Sequence, residues 1–220
     1  MTKKRSSREK TVRVKTAKKR TIASTRWLER QLNDPYVSRA QSEGYRGRAA
    51  FKLIEIDEKI GLLKKGMMVV DLGAAPGGWC QVAAKKGCQV VGLDILEMDE
   101  LPGVDTIQMD FMDDNAPDKL IEMMKGEKAD IVMSDMAPNT IGHRNTDHLR
   151  IMMLVEAAYY FAKDVLKEDG TFIAKVRQGG TQNELLAAMK KDFKTIKHIK
   201  PPASRKESSE TYMIAQGFRG

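Results

Sequence analysis

The sequence predicts an α/β fold built on a mostly parallel, seven-stranded sheet with an antiparallel edge strand and helices on both faces. Three observations carry that prediction. Apolar strand-like runs alternate with amphipathic helical stretches from residue 67 onward, the signature of repeated β-α-β units. The first run, "MMVVDLG", is apolar enough to be a strand buried on both faces. The last two runs are joined by a polar loop with no helical stretch, so they pair antiparallel.

Taken in order, residues 21–47 are polar and contain Pro35, Gly44 and Gly47, which reads as a connecting region with one short helix around Trp27 to Leu32. From Arg48 the spacing of Ala49, Leu53, Ile56 and Ile60 predicts an amphipathic helix that carries Lys52 and that Gly61 ends. The first strand covers 67–73, and a helix from Gly78 to Lys86 follows its glycine turn. Strands at 89–95 and 105–111 come next, then the helical stretch "APDKLIEMMKG", a fourth strand at 129–135 and a long helix over 147–167. A fifth strand spans 170–176, a helix 183–191, and the closing strands 195–200 and 211–218.

At 220 residues with 41% hydrophobic content, the chain is long enough for one well-buried core and short for two. Its charge is uneven. Residues 1–20 hold ten Lys and Arg against the single acid Glu9, so the formal +8 of the chain resides in this arm and the remainder nets −1. Such an arm should be disordered alone and attracted to polyanions such as nucleic acid, with a solubilising tail as the plainer reading. Its composition also fits an organelle transit peptide. Cys80 and Cys88 form no CxxC, and His143, His148 and His198 are scattered, which argues against a disulfide framework or structural zinc. The longest greasy run, "IMMLVEAAYYFA", is broken by Glu156 and too short to span a bilayer, so no membrane role is expected.

Ligands of an open parallel sheet sit at the carboxyl ends of its strands. Asp71, Asp94, Asp110 and Asp135 fall at or near those ends on strands one to four and should ring one crevice, although any one alone would more often cap a helix or hold a turn. The turn "GAAPGGW" lacks the lysine and hydroxyl of a P-loop. It also breaks the GxGxxG spacing, and Pro76 removes an amide that a pyrophosphate would use. An adenosine cofactor with little need for a phosphate cradle fits better, namely S-adenosyl-L-methionine. Asp94 would accept from its ribose hydroxyls, Asp110 from its adenine amino group, and amides of the turn at Gly73 would meet its carboxylate.

Five blocks, "RAAFKL", "VVDLGAAPGGW", "SDMAPN", "IAKVRQG" and "SSETYMIA", resemble the FtsJ/RrmJ (RlmE-type) group of large-subunit ribosomal RNA ribose 2′-O-methyltransferases over residues 36–220. The resemblance implies a Rossmann-like class I S-adenosylmethionine-dependent methyltransferase domain at 36–220; the residues before it, 1–35, read from their composition as a basic, flexible arm. It places cofactor contacts on Gly77, Trp79, Asp94, Asp110 and Asp135, and a catalytic Lys-Asp-Lys-Glu tetrad on Lys52, Asp135, Lys175 and Glu210. It implies no metal, a monomer, a cytoplasmic location, and a substrate in ribosomal RNA of the 23S type, a uridine within the large ribosomal subunit.

A ribose hydroxyl is a weak nucleophile and must be aligned and relieved of its proton as the new bond forms. Lys175 is the hardest of the lysines to dismiss as a surface cation, because it lies inside the apolar run "TFIAKV". Two mechanisms stay open. Neutral Lys175 takes the proton, which is preferred, or charged Lys175 stabilises the developing alkoxide while a carboxylate or water accepts it. Arg144, Arg150, Arg177, Arg205 and Lys206 are candidates for an RNA-facing surface. Base methylation lacks its Asn/Asp-Pro-Pro-aromatic loop, and nicotinamide chemistry lacks its fingerprint. Ribose methylation of an mRNA cap or a tRNA remains an alternative, as does a non-catalytic RNA-binding role in ribosome assembly.

Overall fold

The computed structural model describes residues 13, 16, 21–138, 144–177 and 183–220. Of the flexible basic arm expected at 1–35, residues 1–20 lie outside them except for 13 and 16, whereas 21–35 are described and largely helical. The described elements run α1 (Ile22–Leu32), α2 (Pro35–Glu43), α3 (Ala49–Ile60), β1 (Met68–Leu72), α4 (Gly78–Lys85), β2 (Gln89–Asp94) and β3 (Val104–Gln108). They continue with α5 (Ala116–Met123), β4 (Ala129–Ser134), α6 (Arg144–Val165), β5 (Leu166–Arg177), α7 (Asn183–Asp192), β6 (Phe193–Ile199) and β7 (Glu210–Phe218).

Seven strands form one sheet in the order β3-β2-β1-β4-β5-β7-β6. The first five in that order are parallel, and β7 runs antiparallel to both neighbours, β5 and β6. The reversed strand of the expected antiparallel edge is therefore β7, one place in from the outermost strand. Alternating side chains of the central strands feed two apolar layers. Val70, Leu72 and Phe172 pack with Tyr159 and Ala162 of α6 on one face, while Val69, Ile131 and Ile173 pack with Leu53 and Ile56 of α3 and Val82 of α4 on the other. Full burial of each such side chain contributes about 1.5–3 kcal/mol. Because β1 lies centrally, with β2 on one side and β4 on the other, the chain reverses direction across the sheet at β1 and opens a crevice at the strand ends.

The stretch 21–47 is more ordered than its composition suggests. Thr21 caps α1 by accepting from the Ser24 amide, and Asp34 caps α2 by accepting from the Tyr36 amide, with Pro35 just inside the helix. Proline at the first helical position costs no hydrogen bond, so a residue that reads as a breaker here starts a helix. The buried Asp34 carboxylate also pairs with the guanidinium groups of Arg48 and Arg205, which fastens α2 to the β6–β7 loop. Among the described residues no helix is long and apolar enough to cross a membrane.

Candidate active site

Parallel strands deliver their carboxyl ends to one rim, and the reversed β7 delivers its first residue to the same rim. In the β5–β7 register Lys175 lies opposite Tyr212 and Arg177 opposite Glu210. The helix α3, packed on the neighbouring face, brings in Lys52. Sheet topology thus assembles side chains that are far apart in sequence.

Three of the four tetrad residues are mostly buried, with side-chain exposures of 12% for Lys52, 18% for Asp135 and 8% for Lys175, while Glu210 at 38% opens to solvent. Lys175 Nζ lies 3.1 Å from Asp135 Oδ1 and donates to the Asp135 carbonyl. Lys52 Nζ lies 3.8 Å from Asp135 Oδ2 and 3.7 Å from Glu210 Oε2. Tyr212, which sequence reasoning did not single out, completes the group: its hydroxyl donates to Asp135 Oδ1 at 2.6 Å and accepts from Lys52 Nζ at 3.0 Å. Strand alternation was the available signal, since Tyr212 shares the face of Glu210 two positions earlier. Burial opposes ionisation of Asp135, but the Lys175 and Lys52 charges and the Tyr212 hydrogen bond outweigh it and hold the carboxyl below its usual range. Burial, reinforced by the Asp135 charge, raises the Tyr212 phenol well above its ordinary value and keeps it a donor.

Beside the tetrad lies a cleft of about 340 Å³ lined by Gly73, Asp94, Asp110, Phe111, Met136 and Met153 among others. Asp94 Oδ2 accepts from the Ala75 amide at 2.9 Å and Oδ1 from Leu96 at 2.8 Å, and Asp110 Oδ1 accepts from Met112 at 2.9 Å. Each oxygen retains a lone pair for a hydroxyl or amino donor. Gly73 has a positive φ of 83°, and a Cβ there would come within 2.9 Å of Met136. The turn can therefore close on the β4–α6 segment only without a side chain. A cleft of this size, with acids at its rim and apolar walls for a purine, fits an adenosine cofactor that carries a cation.

The four strand-end acids do not all share one crevice. Asp94 and Asp110 line the cleft, and Asp135 faces the lysines. Asp71 has no exposed surface and accepts the Cys80 thiol at 3.1 Å through Oδ2. Its Oδ1 has no hydrogen-bond donor among the described residues. Burial pushes its carboxyl up to about 7; the Cys80 hydrogen bond opposes that rise, and the charges of Asp135 and Asp94 add to it. Trp79 is also covered: its indole donates to the Ala49 carbonyl at 2.9 Å and its ring packs 5.4 Å from that of Tyr212, so only its backbone is left for a ligand. Gly77, at φ 105°, donates its amide to Ala74 and sits against Leu101, Met98 and Arg46.

On the other side of the tetrad, a groove of about 630 Å³ runs between Arg30, Arg48, Lys52, Arg205, Glu207 and Glu210. A recess of about 230 Å³ exposes Lys175, Arg177, Ser208 and Glu210 and shares Ala137 and Pro138 with the cofactor-sized cleft. Of the expected RNA-facing cations, Arg205 and Arg177 border these spaces and Arg150 borders the cleft, whereas the Arg144 side chain lies outside the described residues. Among the described residues no cluster of three or more His, Cys, Asp or Glu is placed to hold a metal ion.

Comparison with known proteins bears on the family and the fold. The family model described as FtsJ-like methyltransferase matches residues 45–218. A protein of Zymomonas mobilis named Ribosomal RNA large subunit methyltransferase E is 61% identical over 94% of this chain and 95% of its own length. The protein of that name from Paramagnetospirillum magneticum is 59% identical over 97% and 91%. Among solved structures, one described as a ribosomal RNA methyltransferase from Plasmodium falciparum is 34% identical, with a TM-score of 0.71 over 80% of this chain and all of that one.

Proposed function

The chain belongs to the FtsJ-like methyltransferase family, and from that premise we propose that it methylates the 2′-hydroxyl of a ribose, a uridine, in large-subunit ribosomal RNA. Bound S-adenosylmethionine supplies a methyl group activated on a cationic sulfur. One observation carries the reading. A buried amine, Lys175, is held 3.1 Å from a carboxylate and lines a recess that shares Ala137 and Pro138 with the cofactor-sized cleft and Glu207, Ser208 and Glu210 with the groove bordered by arginines.

The charges around that amine suggest how it works. As ammonium ions, Lys52 and Lys175 balance the Asp135 and Glu210 carboxylates. The reading requires Lys175 to act as the free amine, with Lys52 still facing both carboxylates. The free amine then accepts the proton of the ribose hydroxyl as that oxygen takes the methyl group. Asp135 fixes the amine through its carboxylate and its carbonyl, and Tyr212 and Lys52 in turn fix the carboxylate. Lys52 and Glu210 orient the ribose and the flanking phosphate from the groove side. Asp94 and Asp110 hold the cofactor's ribose and adenine.

The relatives' name supports ribosomal RNA of the large subunit as substrate; that the enzyme acts as a cytoplasmic monomer, on the assembled subunit, belongs to the proposal alone. Labelled methyl donor with purified large subunits or free ribosomal RNA tests this. After alkaline hydrolysis the label should appear in a dinucleotide, because a 2′-O-methyl group blocks cleavage at its own linkage. Label recovered wholly in mononucleotides would place the methyl group on a base and refute the proposal.

A further inference from the structure

We infer that Arg46 is a positioning residue that sets the affinity of the cofactor cleft, and is not a phosphate contact for RNA. The reading rests on the cofactor assignment above. Its guanidinium donates to three backbone carbonyls, Pro76 at 3.1 Å, Asp99 at 2.7 Å and Glu100 at 2.7 Å. Pro76 belongs to the glycine turn, and Asp99 and Glu100 to the segment that leaves β2. Asp94 joins the same two stretches on the cleft side, accepting from Ala75 in the turn and from Leu96 after β2. The turn and the following segment are therefore pinned together twice, once by an acid that lines the cleft and once by an arginine beyond it.

The space between them is tight. A Cβ on Gly77 would meet Leu101 at 2.8 Å, Arg46 at 3.0 Å and Met98 at 3.0 Å, so the guanidinium fills the joint. The Arg46 amide donates to Gln81 Oε1 at 2.7 Å, and Gln81 Nε2 donates to the Gly44 carbonyl at 3.1 Å, which fixes the arginine's own backbone on α4. A planar five-donor head can serve three carbonyls at once, and an ammonium on a flexible stem cannot do so with the same geometry. Three of its five donors are spent on these carbonyls, which ties the guanidinium to the joint and leaves two for any phosphate. Its loss would return exposed carbonyls to water at small cost to the fold while freeing the outer wall of the cleft.

The test measures binding of S-adenosylhomocysteine by calorimetry, RNA binding by salt titration, and amide hydrogen exchange in the cofactor-free protein, for wild type, Arg46→Ala and Arg46→Lys. Arg46→Ala should raise the Kd for S-adenosylhomocysteine about tenfold, the scale of one charge-assisted hydrogen bond. Exchange should speed up in residues 95–101, RNA affinity and its salt slope should hold, and turnover at saturating donor should stay within about threefold. Arg46→Lys should lie between the two, and it carries the test if Arg46→Ala does not fold. Unchanged S-adenosylhomocysteine affinity with weakened, less salt-dependent RNA binding would overturn the inference and make Arg46 a phosphate contact. Failure of the wild type to bind S-adenosylhomocysteine would instead sink the cofactor assignment.

Discussion

Replacing Asp135 by asparagine keeps the shape of the side chain and removes the one charge that Lys175, Lys52 and Tyr212 converge on, at 3.1, 3.8 and 2.6 Å. Two ammonium groups, 8% and 12% exposed, would then face each other without their shared counter-ion. Breaking a buried ion pair from one side typically costs about 3–5 kcal/mol. Asp135 is itself 18% exposed, which puts the expectation at the low end, about 3 kcal/mol. The pH dependence has a definite sign. The Asp135 carboxyl is held below its usual range by the lysines in the folded protein, so its contribution is complete above the unfolded value of about 3.9 and is lost as the pH falls through the lower folded value. Urea melts of wild type and Asp135→Asn, taken from pH 7 downward, should therefore differ by about 3 kcal/mol near neutrality and begin to converge only below about pH 4, where the unfolded carboxyl takes up its proton. A gap under about 1 kcal/mol at pH 7, or one that widens on acidification, would refute the reasoning.

Two further substitutions probe the site's other buried groups. Tyr212→Phe leaves the ring against Trp79 and removes only the hydroxyl that Asp135 and Lys52 share. Turnover should fall about 10–100-fold with S-adenosylhomocysteine affinity nearly unchanged; undiminished single-turnover rates would count against the network. Asp71 keeps its proton up to about pH 7 in the folded protein while the unfolded chain releases it near 4, so wild-type stability should decline between those values by about 4 kcal/mol. Asp71→Asn should be spared that decline in guanidinium melts of the cofactor-free protein, and a variant whose deficit grows between pH 5 and pH 8 would contradict it.

Much of this was legible in the sequence because its strands are buried on both faces. "VVDLG" and "IVMS" have no other stable place than the middle of a covered sheet, and their order fixes which ends meet. The cleft acids were legible for the same reason, since a strand end is a position in space as well as in sequence. Asp71 was not distinguishable from Asp94 by pattern, because its separation from the cleft depends on the packing of α4, whose Cys80 thiol covers its carboxylate. Tyr212 went unread because an aromatic in a closing strand is usually core packing, and its hydroxyl gains meaning only once β7 pairs with β5 and sets it opposite Lys175. Of the first two helices, α1 was legible in part as the short helix around Trp27 to Leu32, while α2 was hidden by Pro35 and a polar composition. Their fastening to the β6–β7 loop through Asp34, Arg48 and Arg205 is a tertiary contact that local propensity cannot announce.

The central claim is that the amine of Lys175 takes a proton from the ribose. Lys175→Ala, assayed with added alkylamines across a range of pH, tests it directly. The variant should lose about 10²–10⁴-fold in turnover while keeping its S-adenosylhomocysteine affinity, and small primary amines should restore a rate that rises with the concentration of free base. Equal loss of turnover and affinity, or rescue that is as strong with a quaternary ammonium ion as with a free amine, would contradict it.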